Sequence, residues 1–338
     1  MEDAMGRIRG WVMRLSIRRK LVLYSYVIIT PILLLISLLL LAHNYRSAVK
    51  KEENRCVQNV QNISDSISVV QKNIMEMGTY ISINDEIRQI LTADDPKEMN
   101  RDARLWQNRA PMQIIQDMVA IDGQIKSVAL YPENGINPYL NCIDRSSSYL
   151  GDISQVREKE IYALAVQKKG KFLWQRVGRC QNDQNDTYQV NQNDKIVMYR
   201  EIYDMARKNR LGYLVIGSSA EIFDEICQNS LRGRQESVVV MSAYGAELVR
   251  CGDIEDELLS DIIAENGSGL TGKEKVRKSA CGIYNIYQCQ DEDTGTIVYE
   301  IVRRVGWKDL SDTIIFAPLA LLVGFLFGLY PVLLVVSD

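Results

Sequence analysis

Histidine is almost missing from this chain: His43 is the only one in 338 residues. A Ser-His or Cys-His nucleophile needs an imidazole beside it, and histidine-rich zinc sites need several, so both chemistries are excluded. Net charge is nearly missing too, at −3, which gives no field for a polyanion and excludes nucleic acid as a partner. The seven cysteines (Cys56, Cys142, Cys180, Cys227, Cys251, Cys281, Cys289) are odd in number and irregular in spacing, with no C-x-x-C pair. They form no metal-type motif; buried thiols and one or two disulfides both fit. No cofactor or metal site is expected.

Two motif-like phrases lack the context that chemistry would require. Gly267-Ser268-Gly269-Leu270-Thr271-Gly272-Lys273 imitates a phosphate-binding loop, but Glu274 stands where Ser or Thr is needed and a helix, not a strand, precedes it. Ser47-Ala48-Val49-Lys50 matches S-x-x-K without any K-T-G elsewhere. The paired acids Asp94 and Asp95, and Asp291 and Asp293, fall in turns, where solvated carboxylates are expected. The chain carries no candidate catalytic residue.

What is present starts with Leu21 to Ala42, LVLYSYVIITPILLLISLLLLA, a run without charge. As a helix it is about 33 Å long, enough to cross a hydrocarbon core of about 30 Å. It is too long for a signal-peptide core, and Leu40-Leu41-Ala42-His43 is a poor cleavage site. Arg7, Arg9, Arg14, Arg18, Arg19 and Lys20 precede it against Glu2 and Asp3, which keeps residues 1–20 cytoplasmic. Thr313 to Val336 is a second uncharged run. The expected topology is a two-pass protein of the cell membrane with residues 43–312 extracytoplasmic, and the lipid bilayer is its first partner. Charged residues at 25% and hydrophobic ones at 46% suit a folded region between the spans.

Val60, Ile63, Ile67, Val70, Ile74, Met77 and Ile81 recur at alternating steps of three and four, the pattern of a helix with one apolar seam. Because 46–59 holds no Gly or Pro, this helix is expected to continue from the span as a stalk. Its seam packs either on its own domain or on the same helix of a second subunit. Asp102 to Ala120 reads as a further helix. Strands are expected from Val128 to the turn Pro132-Glu133-Asn134-Gly135, and at Phe172 to Val177, Ile196 to Tyr203 and Leu211 to Ile216, with a helix at Val156 to Lys168 stopped by Gly170. The order then repeats: helix Ala220 to Leu231, strands Val238 to Met241 and Glu247 to Arg250, helix Ile254 to Asn266, strands Gly282 to Gln288 and Thr296 to Arg304.

A basic N-terminus, a Pro-interrupted span, a seam helix, a repeated helix-and-strand module, Leu211-Gly212-Tyr213-Leu214-Val215-Ile216, Gly306-Trp307 and a second span together resemble the double Cache (dCache) sensor region of Gram-positive two-component histidine kinases. The resemblance implies an α+β fold of two PAS-like Cache modules, antiparallel sheets with helices, on a long N-terminal stalk helix between two transmembrane helices. Its parts would be 1–20 cytoplasmic, 21–42 first span, 43–121 stalk and long helices, 122–218 membrane-distal module, 219–306 membrane-proximal module and 313–336 second span. It also implies an input region that binds a small extracellular ligand or a solute-binding protein, as a homodimer. HAMP linker, phospho-acceptor helix and ATP-binding domain are missing, so the chain is a fragment of a sensor kinase or a kinase-less relative. A response regulator is a partner only if a kinase core follows. The alternative is a stand-alone membrane-tethered ligand-binding or regulatory subunit.

In that family the pocket lies in the distal module, on one face of its sheet under the loops. The residues of this chain that match such a place are Tyr131, Tyr139, Trp174, Arg176 and Tyr199, and aromatic faces with one Arg suit a sugar or a small organic acid. Gly306 and Trp307 are the expected signal-transmission residues, joining the last strand to the second span.

Overall fold

The computed structural model describes residues 17–93, 113–117, 123–134, 139–142, 160–168, 170–177, 195–204, 209–231, 236–266, 276–304 and Val323. The chain divides into one unit of residues 1–55 with 304–338 and another of residues 56–303.

Helix α1, Ile17–Ile83, runs 67 residues without a break and passes through Pro31, as the sequence predicts for a span that continues into a stalk. Within it Pro31–Ile83 is long and apolar enough to cross a membrane, with a mean hydropathy of 1.6 in a window of which nothing is buried. Ile32, Leu35, Ile36, Leu38 and Leu39 are exposed there. The second run, Thr313 to Val336, lies outside the described residues apart from Val323.

The unit of residues 56–303 contains two five-stranded antiparallel sheets of one design. In the first, β1 (Ile125–Pro132), β2 (Tyr139–Cys142), β3 (Leu173–Val177), β4 (Lys195–Asp204) and β5 (Asn209–Ser219) lie in the order β2-β1-β5-β4-β3. In the second, β6 (Glu236–Met241), β7 (Glu247–Cys251), β8 (Val276–Cys281), β9 (Tyr284–Gln290) and β10 (Ile297–Arg303) lie in the order β7-β6-β10-β9-β8. A short helix α2 (Asp85–Leu91) follows α1; Asn84 caps it by accepting from the N–H groups of Glu86 and Ile87 at 3.0 and 3.2 Å. Helix α3 (Glu160–Lys168) joins β2 to β3, α4 (Ala220–Ser230) joins the sheets, and α5 (Asp256–Asn266) joins β7 to β8.

The seam of α1 packs on its own chain. Val60, Ile63, Ile67, Val70, Ile74 and Ile81 are buried in one core with Val128, Leu130, Ile196, Met198, Leu214 and Ile216 of the first sheet and Val238, Val240, Val298 and Val302 of the second. Each such side chain contributes about 1.5–3 kcal/mol, which makes this seam the main tie between the helix and both sheets. Polar ties supplement it: Arg200 donates to Thr79 Oγ1 at 2.9 Å, Asn59 to Glu300 Oε1 at 3.0 Å and Thr296 to Gln71 Oε1 at 2.9 Å.

Several expectations need correction. Strands β2 and β8 were not foreseen. Both are sheet edges, where one row of backbone groups is unpaired and the apolar alternation that marks a strand is weak; VRKSAC in β8 buries little. Helix α5 starts at Asp256 and not at Ile254. Gly170 does sit at φ +72 just after α3. Cys56, Cys227, Cys251, Cys281 and Cys289 hold thiols and no disulfide. Of the predicted helix at Asp102 to Ala120, residues 113–117 are described and helical. Asp94, Asp95 and the phosphate-loop mimic at 267–273 lie outside the described residues.

Asp291 is not a solvated turn acid. Its Oδ1 accepts from the N–H groups of Asp293 and Thr294 at 3.1 and 2.7 Å and from the Thr294 hydroxyl at 2.8 Å, closing the β9–β10 turn. Partial burial pushes its pKa up. Hydrogen bonds from Thr294 and the charge of Lys72 reverse this and leave it below the ordinary 3.8. A group with a depressed folded pKa stabilises above the unfolded value and loses that contribution as pH falls through the folded one. Asp291→Ala is therefore expected to cost about 1 kcal/mol at neutral pH. In urea titrations its difference from the parent should shrink as pH drops below 3.8.

Candidate functional site

Alternation along the first sheet divides its side chains between two faces. One face carries Val128, Leu130, Trp174, Ile196, Met198, Leu214 and Ile216 into the core shared with α1. The other carries Ala129, Tyr131, Leu173, Val197, Tyr199, Tyr213 and Val215 against Tyr162 and Ala165 of α3. Cross-strand register sets Tyr131 beside Tyr213 and Tyr213 beside Glu201, a row over β1, β5 and β4. Tyr199 is opposite Val215 on one side and Leu173 on the other, one step along.

These side chains form an aromatic box with a charged end. Tyr213 meets Tyr162 edge-on at 5.1 Å between ring centroids and lies stacked over Tyr199 at 6.0 Å. Arg210, at the start of β5, donates from Nε to Glu201 Oε1 at 2.6 Å and from Nη1 to the Tyr162 hydroxyl at 2.6 Å. Its Nη1 also lies 3.4 Å from Glu133 Oε1. The Tyr162 hydroxyl donates to Glu133 at 2.9 Å, and the Arg210 guanidinium stands 5.6 Å from the Tyr162 ring centre. Burial works against the charge of Arg210, but the bond to Glu201 and the negative charges around it outweigh that and raise its pKa. Two carboxylates around one guanidinium leave the cluster formally at −1.

Tyr213 is fully buried, and its hydroxyl has no hydrogen-bond partner among the described residues. Burial pushes its pKa up strongly, with the neighbouring phenols of Tyr199, Tyr162 and Tyr131 adding to the effect. The phenol thus stays protonated, able to donate and accept. Lys195, buried on the same face, lies at the start of β4, six residues along the strand from Glu201 and away from this charged end.

Of the five residues expected from sequence, the structure brings Tyr131 and Tyr199 into this box. Trp174 and Arg176 are on the opposite face. Trp174 is buried there in the core, its Nε1 without a partner among the described residues. Arg176 is 7% exposed and grips Asp224 of α4 at 2.8 and 2.7 Å while donating to the Leu248 carbonyl of β7 at 3.0 Å. It ties the first sheet to the second. Tyr139 pairs with Leu130 on edge strand β2. Gly306 and Trp307 lie outside the described residues. Sequence reasoning missed Tyr162, Arg210, Tyr213, Glu133 and Glu201. The alternation Val197, Tyr199, Glu201 was a usable signal, as was Tyr213 in the Leu211–Ile216 phrase.

No protein-family model and no curated protein matches the chain. Among solved structures it is similar to extracellular sensory domains. The sensory domain of the Campylobacter jejuni chemoreceptor Tlp3 (CcmL) with isoleucine bound matches with a TM-score of 0.48 and 10% identity, over 81% of this chain and 97% of that one. The ligand-binding domain of Mlp24 with asparagine gives 0.43 and 11%, over 78% and 95%. The extracellular domain of vpHK1S-Z8, a protein assigned as a histidine kinase, gives 0.43 and 11%, over 77% and 95%. Likeness this distant carries no argument about the ligand here.

Among the described residues no group of three or more His, Cys, Asp or Glu could hold a metal ion. What the box offers is recognition: aromatic faces, a phenol that both donates and accepts, and a guanidinium-carboxylate fork.

Proposed function

We propose that this chain is the membrane-anchored, extracytoplasmic input region of a signal-transduction receptor, built as two PAS-like Cache modules, and that it binds a small molecule on the α3 face of the first sheet. It works by binding and performs no catalysis. A second membrane segment at Thr313 to Val336 carries the signal to a histidine-kinase core of a two-component system. The duplicated sheet order and the long helix that joins an apolar span to both sheets support this reading. The observation that carries the binding site is the Tyr213 hydroxyl. A buried polar group is nearly always hydrogen-bonded, and this one, among aromatic walls beside Arg210, has its partner supplied by what the box takes up.

Of the ligand classes that suit aromatic faces and an arginine, the geometry favours a sugar over an organic acid. Arg210 is already shared by Glu201 and Glu133, so an incoming carboxylate would meet net negative charge. Hydroxyl groups can instead donate to the glutamates and accept from Arg210 and Tyr213 while the ring packs on tyrosine.

The test is thermal unfolding of the purified full chain in detergent with D-glucose, D-galactose, D-ribose, succinate or malate. A sugar should raise the midpoint. Arg210→Gln removes a charge-assisted hydrogen bond, about 1.5–3 kcal/mol, and should weaken binding about 10- to 150-fold. Tyr213→Phe, which keeps the ring and the packing, should weaken it about 5-fold. Indifference to all three sugars, or sugar binding untouched in both variants, would sink the assignment.

A further inference from the structure

The second sheet repeats the design of the first, and its face toward α5 borders a partly open cavity of about 530 Å³. The register explains how it is built. Ile301 of β10 lies opposite Ser237 of β6, and Arg303, two residues on, lies opposite Tyr284 of β9. Alternation puts Ile301 and Arg303 on the same face, with Val239, Ile286 and Tyr299, which pack against Leu259 and Ile262 of α5. Ser237 and Ile301, 5% and 2% exposed, form a buried floor. Ile254 and Leu258 supply an apolar wall from the entry to α5, and the same loop brings in the carboxylates of Asp253 and Glu255.

We propose that this cavity is a second binding site, for a small zwitterion with an ammonium group at Asp253 and Glu255 and a carboxylate at Arg303. Its volume is that of a small-molecule pocket, and its lining sets apolar Ile254, Leu258 and Ile301 among polar groups of both signs. A purely anionic ligand would face two carboxylates and a purely cationic one would face Arg303. A ligand carrying both charges answers both ends and lays its hydrocarbon on Ile301, Leu258 and Tyr284. Occupancy bears on the end of β10, because Ile301 and Arg303 are both in the lining. The site shares no residue with the box on the first sheet and does not depend on that box being a sugar site.

Binding is read by calorimetry on the full chain in detergent with glycine, γ-aminobutyrate and 6-aminohexanoate, whose charge separations rise in that order, and with butylamine and butyrate as single-charge controls. At least one zwitterion should bind and neither control should. Arg303→Gln and the double variant Asp253→Asn, Glu255→Gln should each weaken binding 10-fold or more; all three side chains are exposed, so the fold should survive. The proposal is overturned if none of the three zwitterions binds, if butylamine or butyrate binds as well as they do, or if binding survives the Arg303 and acid variants.

Discussion

Arg176→Met is expected to destabilise residues 56–303 by about 2–3 kcal/mol. Removing one partner of a buried ion pair typically costs about 3–5 kcal/mol, because the other charge is left in a poor solvent. Here the Asp224 side chain is 25% exposed and can recover part of its hydration, which lowers the figure. The loss falls at one place: Arg176 of β3 holds Asp224 of α4 and the Leu248 carbonyl of β7, so one guanidinium joins the first sheet, the connecting helix and the second sheet. Urea titration of the purified chain measures the effect. The double variant Arg176→Met, Asp224→Leu removes both charges and should recover at least half of the loss. If the single variant is within 0.5 kcal/mol of the parent, a range ordinary for surface substitutions, Arg176 is not the tie described here.

Gly252→Ala should be more damaging, at about 3 kcal/mol or above. Gly252 follows β7 at φ +91, where an L side chain is strained, and a Cβ there would stand 2.5 Å from the Glu236 carbonyl oxygen and 2.7 Å from Ser237 Cα. Those are backbone atoms of β6 and cannot swing aside as a long side chain would. Left-handed strain of about 1–3 kcal/mol adds to overpacking of about 1–3 kcal/mol. Because Ser237 floors the cavity of the second sheet, the displacement should also abolish zwitterion binding while leaving the tyrosine box intact. Thermal unfolding with and without each ligand separates the two effects. Gly245→Ala is the matched control: that glycine is also at positive φ, at +83, but a Cβ there meets nothing within 4 Å, so the clash component should vanish.

The candidate site was half legible before the fold was known. The double Cache resemblance implies a pocket on one face of the first sheet with Tyr131 and Tyr199 among its residues, and both lie in the box. The same resemblance implies Trp174 and Arg176, yet they occupy positions of even parity on β3 while Leu173 carries the parity of the box. A one-residue difference in a strand changes the face, and only a known register assigns that face. Arg210 and Tyr162 come from a strand start and a separate helix, 48 residues apart, and meet at 2.6 Å because α3 packs on the face of the sheet that carries the box. No local pattern reports such a meeting.

The uncharged run at 21–42 and the seam from Val60 to Ile81 already implied a helix long and apolar enough to cross a membrane that continues into one buried stripe. These are properties of composition and period, which the bilayer thickness and the 3.6-residue turn convert directly into structure. The repeated helix-and-strand order likewise pointed to two units of one design. Tertiary structure decided the rest. It gave the seam to both sheets of its own chain, added the edge strands β2 and β8 that weak alternation had hidden, and turned Asp291 inward to close a turn. It also placed Arg176 between sheets and packed four tyrosines on one face of the first sheet, with Tyr162 bonded to Arg210. Each of these depends on strand pairing and packing between residues distant in the chain, where the energy lies in contacts that no stretch of sequence contains by itself.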